Sequence, residues 1–357
     1  MHCIDNMERI TLSTDIVMKM MNLYEFKGKE FYYHDVLESD LEYIQKQNIE
    51  RETFFAYKLL GLDISENRVR LIIKKNSKTK SKDEILLSNI KRMFVLIHSN
   101  IKNFELTANS FLDLAKFIYN EVEDVRFASY QKLEQNTLLR ERKTVYKRDD
   151  LRDLLHAYTR KMDSNEYEKT LLITNFFVDF LNTKCFKITD DRFLAYVALY
   201  IMLFKEGFEL FKYISFFEIL YNNQAQFNNA ILHANFNWEN GYSQTGPLHM
   251  LLVSEILKSY QIVEKLIRDY QYDNKLNKSD NIENTIIKAG DTFTKDEIRA
   301  KHPYVSESTI NRTLQRLRDE GKIRPLSTGR SAKWLRVIPV TKKILPFEQL
   351  NIFGEEE

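Results

Sequence analysis

"SESTINRTLQRLRDEG", residues 306–321, opens on a serine suited to cap a helix N-terminus and closes on a glycine suited to end one. Between them Ile310, Leu314 and Leu317 recur at i, i+4 and i+7, which predicts one apolar stripe along a helix. The opposite face carries Ser308, Asn311, Arg312, Gln315 and Arg316. Upstream, "TKDEIRAKH" at 294–302 places Thr294 and Glu297 three residues apart, the spacing of a capping box. In "KHPYV", at 301–305, Pro303 prevents that helix from running on and a turn is expected. Downstream, "KIRPLSTGRSAKWLRVIP" at 322–339 predicts two short strands around a polar tip, with Ile323, Trp334, Leu335 and Val337 covering the helices.

Helix, turn, helix and basic hairpin together make the pattern of a winged helix-turn-helix, expected over 285–345 and followed by a tail at 346–357. Such a module lays its second helix in the major groove of DNA. The candidate base-facing residues are Ser308, Thr309, Asn311, Arg312, Gln315 and Arg316, and Arg330 and Lys333 on the wing would meet phosphates. The competing reading is a solvated face used for protein contact. Charge is distributed as nucleic-acid binding requires. The chain carries only +2 overall, yet residues 288–343 hold 14 basic and 6 acidic side chains, leaving the remainder acidic.

Outward from this module, 357 residues suffice for two or three domains. With 9 Gly and 5 Pro, the composition favours long helices over many short strands. The polar stretch "QYDNKLNKSDNIEN" at 271–284 is expected to be a linker or domain boundary. Before it run amphipathic segments such as "ILLSNIKRMFVLIHSNI", "EKTLLITNFFVDFLN" and "LHMLLVSEILKSYQIVEKLI", so the body is expected to be mainly α. The charged stretch 131–152 stays open between helix and long loop. The longest apolar runs, such as "FLAYVALYIMLF" from Phe193, are too short to span a bilayer and suit a buried helix. No membrane partner and no signal peptide are expected, and the location expected is cytoplasmic.

Chemistry is harder to find. Cys3 and Cys185 stand far apart, which excludes a disulfide scaffold and a CxxC zinc cluster. None of His2, His34, His98, His156, His233, His249 and His302 falls in HExxH spacing, and neither GxxxxGK[ST] nor GxGxxG occurs. No catalytic residue, metal ligand or cofactor is assigned from these patterns.

One stretch of the body resembles a known family. "GFELFKYISFFEILYNNQAQFNNAIL" at 207–232 is similar to the segment after the active site in Fic-domain proteins, and "PLHMLLVSEIL" at 247–257 to their closing helix. "FKGKEFYY" at 26–33 and "NIERETFFAYKLLGLDISENRVR" at 48–70 resemble their N-terminal region. The resemblance implies a helical N-terminal region over 1–84 and a Fic-like core over 85–270; a C-terminal winged helix is frequent in that family. It also implies AMP transfer from ATP with Mg²⁺ through HPFx[DE]GNGR, in which the His is general base and the glycine-rich turn holds phosphates. That motif does not occur here. Counting back from Gly207 without gaps puts "CFKITDDRF" in its place, with Cys185 for the His, Asp190, Asp191 and Arg192 for Gly-Asn-Gly, and Phe193 for the Arg; the alternative is that the motif loop is deleted outright. The family's inhibitory [ST]xxxE[GN] is matched by 56–61, where Ala56 and Leu60 stand for the polar residues. What the resemblance then implies is a catalytically degenerate Fic protein, a DNA-binding regulator through its C-terminal module. The alternatives are a divergent nucleotidyltransferase with a reorganised pocket and a protein-interaction adaptor. DNA is the expected partner, a homodimer is expected by analogy, and no protein partner is named.

Overall fold

The computed structural model describes residues 3–133, 142–275, 278–288, 291–303, 305–326 and 333–337. The chain divides into two compact units, Met1–Tyr270 and Gln271–Glu357.

The first unit is a helical assembly. It begins with α1 (Thr14–Lys27), α2 (Glu30–Leu37), α3 (Leu41–Leu60), α4 (Glu66–Lys75), α5 (Lys82–Asn100) and α6 (Ala108–Ile118). Two short strands follow, β1 (Arg126–Phe127) and β2 (Ser129–Leu133), then β3 (Arg142–Tyr146), α7 (Lys147–Ser164) and α8 (Lys169–Thr183). After β4 (Phe186–Lys187) come α9 (Asp191–Lys205), α10 (Phe216–Asn222), α11 (Gln224–Asn235) and α12 (Gly246–Lys275), whose last turn belongs to the second unit.

The centre is formed by two helices whose sequences are apolar on nearly every side. In α9 every residue from Phe193 to Phe204 is buried, and in α8 so is every residue from Thr170 to Phe180. α9 is apolar all round and has no solvent face; α8 also buries Asn175 and Asp179, which accept hydrogen bonds from Thr245 and from the Cys3 and Ile4 N–H groups, so α7 covers α8 while α8 and α9 pack on each other. Around them α3 packs on α5 and on α10. Helix ends follow local chemistry: Ser81, Thr107, Glu168, Asp190 and Ser215 each accept a backbone N–H at the start of α5, α6, α8, α9 and α10. Gly61, at φ +62°, terminates α3 in the left-handed conformation that glycine adopts without strain.

Side chains from the N-terminal helices hold the segment after α9 from several sides. Glu30 accepts the Leu210 N–H at 3.1 Å and the Tyr260 hydroxyl at 2.5 Å. Asn48 Nδ2 donates to the Phe211 carbonyl at 2.7 Å. Glu52, fully buried, accepts the Ser215 hydroxyl at 2.7 Å and the Phe216 and Phe217 N–H groups at 2.9 Å each. A carboxylate buried without these donors would be costly, and here it satisfies the orphan amides of α10.

The stretch left open between helix and loop is neither alone. β2 and β3 pair antiparallel from Ser129↔Tyr146 to Leu133↔Arg142, and α7 begins directly after. β1 pairs with β4 through Arg126↔Lys187 and Phe127↔Phe186.

The second unit contains α13 (Lys278–Lys288), β5 (Thr292–Thr294), α14 (Lys295–Lys301), α15 (Glu307–Asp319), β6 (Ile323–Pro325) and β7 (Lys333–Arg336). Here the structure differs from the linker expected over 271–284, because α12 continues to Lys275 and α13 starts at Lys278. Ile282 and Ile286, one turn apart, are buried against α14 and α15 and make this polar stretch a packed helix. The caps read from sequence are in place. Thr294 and Glu297 form a reciprocal capping box, Ser306 accepts the Thr309 N–H, and Gly321 stands at φ +71° after α15. Ile310, Leu314 and Leu317 are buried. The strands form a three-stranded antiparallel sheet in the order β5-β7-β6, so a third strand joins the expected hairpin. Ile323 is buried and Trp334 and Leu335 are half-buried, but Val337 is 40% exposed beyond the strand end and does not cover the helices.

Candidate functional site

Two places were marked by the sequence: the loop between α8 and α9, and the outer face of α15.

The loop is built from the two buried helices that flank it. Lys184 leaves α8 in the left-handed conformation and the chain passes into β4. Cys185 is buried and makes no side-chain hydrogen bond among the described residues; burial pushes its thiol up to about 12, against the opposing pull of Lys147. Its carbonyl accepts the Ala128 N–H at 2.9 Å, which ties the loop to the β1 side. Phe186 stacks on Phe127 with ring centroids 5.3 Å apart. Thr189 donates its N–H and its hydroxyl to Glu123, and the Tyr119 hydroxyl donates to the Asp190 carbonyl at 2.9 Å.

Asp190 then caps α9, accepting the Phe193 N–H at 3.1 Å, and Asp191 occupies the first turn. The partial positive charge of this helix end is thereby met by the chain's own carboxylates. Phe193 points into the core, 2% exposed, its ring 5.7 Å from that of Phe217. A nucleoside triphosphate with Mg²⁺, which the resemblance would bring here, does not fit this residue set. Asp190 and Asp191 stand at the start of α9, the positions that the resemblance aligns with the phosphate-holding turn, no glycine there lets a backbone approach, and Phe193 offers no charge. Elsewhere in the first unit, an apolar groove of about 400 Å³ lies along α5 and α6, lined by Met93, Leu96, Leu114 and Phe117 among others. None of the loop residues takes part in it.

In the second unit, the side of α15 opposite its buried stripe is the candidate nucleic-acid face. Ser308, Asn311, Arg312 and Gln315 are exposed and Thr309 is half-buried. Ser306 Oγ lies 2.9 Å from Ser308 Oγ and 2.8 Å from Thr309 Oγ1. Gln315 Nε2 donates to Asp319 Oδ1 at 2.8 Å. Arg312 makes no ion pair among the described residues, whereas Arg316 turns to α13 and pairs with Glu283 at 2.7 Å. Lys333 is exposed on β7, and Arg330 lies outside the described residues. The structure thus brings Ser308, Asn311, Arg312 and Gln315 onto one exposed face and sets Arg316 to its flank. Sequence reading did not single out Glu283, because it fell in the supposed linker; the available signal was Ile282 and Ile286 at helical spacing around it.

No family model matches the sequence, and no curated protein matches it. Among solved structures the chain is similar to a Fic family protein from Desulfovibrio desulfuricans G20, with 11% identity over 92% of this chain and 97% of that one and a TM-score of 0.55. It is also similar to a Fic domain containing signaling protein from Bacteroides thetaiotaomicron VPI-5482, with 13% identity over 69% of this chain and 98% of that one and a TM-score of 0.52. At these identities the likeness shows the fold alone. No helix among the described residues is long and apolar enough to cross a membrane.

Proposed function

We propose that this chain, built on the fold of Fic family proteins, acts as a DNA-binding regulator and no longer as a nucleotidyltransferase. The observation that carries the reading is the outer face of α15, where Ser308, Asn311, Arg312 and Gln315 stand exposed opposite a buried apolar stripe. The order helix, strand, helix, helix, strand, strand with a three-stranded sheet supports a winged helix over 285–345. In that arrangement α15 enters the major groove, Arg312 offers a bidentate contact to guanine, and Asn311 or Gln315 offers one to adenine. Lys333 and Arg330 on the wing take phosphates. Two copies would read a palindromic site.

Loss of transfer chemistry is supported by the α8–α9 loop. Asp190 and Asp191 occupy the helix end that would hold phosphate, and Cys185 is buried, its thiol raised by burial and further by the charges of Asp150 and Asp191. The testing experiment pairs DNA-site selection on the full-length chain with calorimetry of ATP and Mg²⁺. A selected sequence motif, weakened by Arg312→Ala by about 1–3 kcal/mol, is the expected outcome. Stoichiometric nucleotide binding, or retention of DNA with no sequence preference at any salt concentration, refutes the reading.

A further inference from the structure

Glu283, on α13, receives two cations, Arg316 from α15 and Lys322 from the turn that follows it. Its Oε2 lies 2.7 Å from Arg316 Nη2, and its Oε1 lies 2.5 Å from Lys322 Nζ. Two more carboxylates join them. Asp280 is 3.9 Å from Arg316, and Glu320 is 3.5 Å from Arg316 and 2.8 Å from Lys322. Glu283 is the most enclosed of the group, its side chain 16% exposed, while those of Arg316 and Lys322 are 40% and 53% exposed. The hydrogen bond from Lys322, against an opposing effect of burial, holds the Glu283 carboxyl below its ordinary range, so it stays ionised.

The contrast with Arg312 is direct. Arg312 lies one turn before Arg316 on the same helix, is exposed, and has no acidic partner among the described residues. A guanidinium forks a carboxylate and a phosphate with the same geometry, so a carboxylate already seated on it competes with a phosphodiester. The carboxylate is tethered by the packing of α13 on α15 and needs no association step.

We propose that Glu283 is an internal counter-ion, standing where a DNA phosphate would otherwise stand, that withholds Arg316 and Lys322 from the nucleic-acid backbone. The proposal rests on the DNA-binding reading above. Its consequence is a low non-specific affinity: α15 meets duplex DNA through Arg312, Asn311 and Ser308, and sequence reading outweighs bulk charge. Glu283 is a positioning residue here, acting through the two cations that it holds.

The test is fluorescence anisotropy of the full-length chain on a mixed-sequence duplex of about 30 base pairs, from about 20 to 200 mM KCl, for wild type, Glu283→Gln and Lys322→Gln. Each cation freed for phosphate steepens the dependence of log affinity on log salt by about 0.9. Glu283→Gln is therefore expected to bind more tightly, its advantage growing about 8-fold per freed cation for each tenfold fall in salt. Lys322→Gln, which removes a cation already withheld, is expected to keep the wild-type slope. Equal slopes for wild type and a folded Glu283→Gln overturn the proposal. So does a shallower slope for Lys322→Gln, and that arm decides the matter if Trp334 fluorescence shows Glu283→Gln to be unfolded. Failure of the wild type to bind any duplex overturns the DNA reading itself, a different outcome from binding with equal slopes.

Discussion

Replacing Glu52 by glutamine should change how the stability of the first unit depends on pH. Glu52 is 0% exposed on α3 and accepts three hydrogen bonds, from Ser215 Oγ, Phe216 N and Phe217 N. Burial raises its carboxyl from the ordinary 4.5 to about 7, although those hydrogen bonds and one from Tyr200 pull the other way. The folded chain therefore holds this proton more tightly than the unfolded chain does. A group of that kind contributes stability that is fully present below about pH 4.5 and is lost as pH rises through about 7. At about 1.4 kcal/mol per pH step, the loss over that window is about 3 kcal/mol. A glutamine in its place cannot ionise, so the variant should lack this component. Glu30, raised to about 7 by burial, acts in the same direction in both proteins and drops out of their difference.

The chain has two tryptophans, Trp238 in the first unit and Trp334 in the second. In a Trp334→Phe background, urea unfolding followed by Trp238 fluorescence reports the first unit. The stability of wild type minus that of Glu52→Gln should fall by about 3 kcal/mol between about pH 5 and 8, most of it below about pH 7.5. A difference that stays constant within about 0.5 kcal/mol, or grows with pH, would show that Glu52 is ionised throughout and that its donors outweigh burial.

Further outcomes follow from single contacts. Phe193→Arg, which writes the family's motif residue into the first turn of α9, should destabilise the first unit by at least about 3 kcal/mol without producing nucleotide binding, because the site is 2% exposed and packed against the ring of Phe217; melting and calorimetry on one sample read both. Asp190→Ala should cost about 1 kcal/mol through loss of the α9 cap, measured by urea unfolding. Gly321→Ala should lower the stability of the second unit by about 1 kcal/mol, because φ is +71° there, with Trp334 fluorescence as the readout. Cys185, buried with its thiol raised to about 12, should react with a disulfide reagent only at the rate at which the first unit opens; a rapid burst in the native protein would contradict that burial.

The ends of helices in the second unit were legible because capping is local. Thr294 with Glu297, and Ser306 with the Thr309 N–H, each act within three residues, and Gly321 needs only its own φ. The buried α9 was legible for a related reason, since a run without a polar face has nowhere to go but the centre, whereas α8, read as amphipathic, is buried all round because its polar side chains find partners inside, Asp179 among them. The β2–β3 hairpin was hidden: its pairing reaches from Ser129 to Tyr146, and its strands mix polar, charged and apolar residues without a clear period of two. α13 was hidden because two isoleucines in a polar run look like a linker until other helices cover them.

By itself, then, the sequence determined the helical class, the caps, the apolar stripe of α15 and the absence of the phosphate-binding motif, all properties of neighbouring residues. Only the tertiary structure decided which of the polar residues remain exposed. Arg312 and Arg316 are one turn apart and identical in type, yet one is exposed and the other meets Glu283, 33 residues away. Glu52 and Glu283 are both acids in polar helical text, yet one meets the amides of α10 and the other two cations. The physical reason is that a charge takes its role from what the fold brings within about 4 Å of it, and that distance is set by packing between helices far apart in the chain.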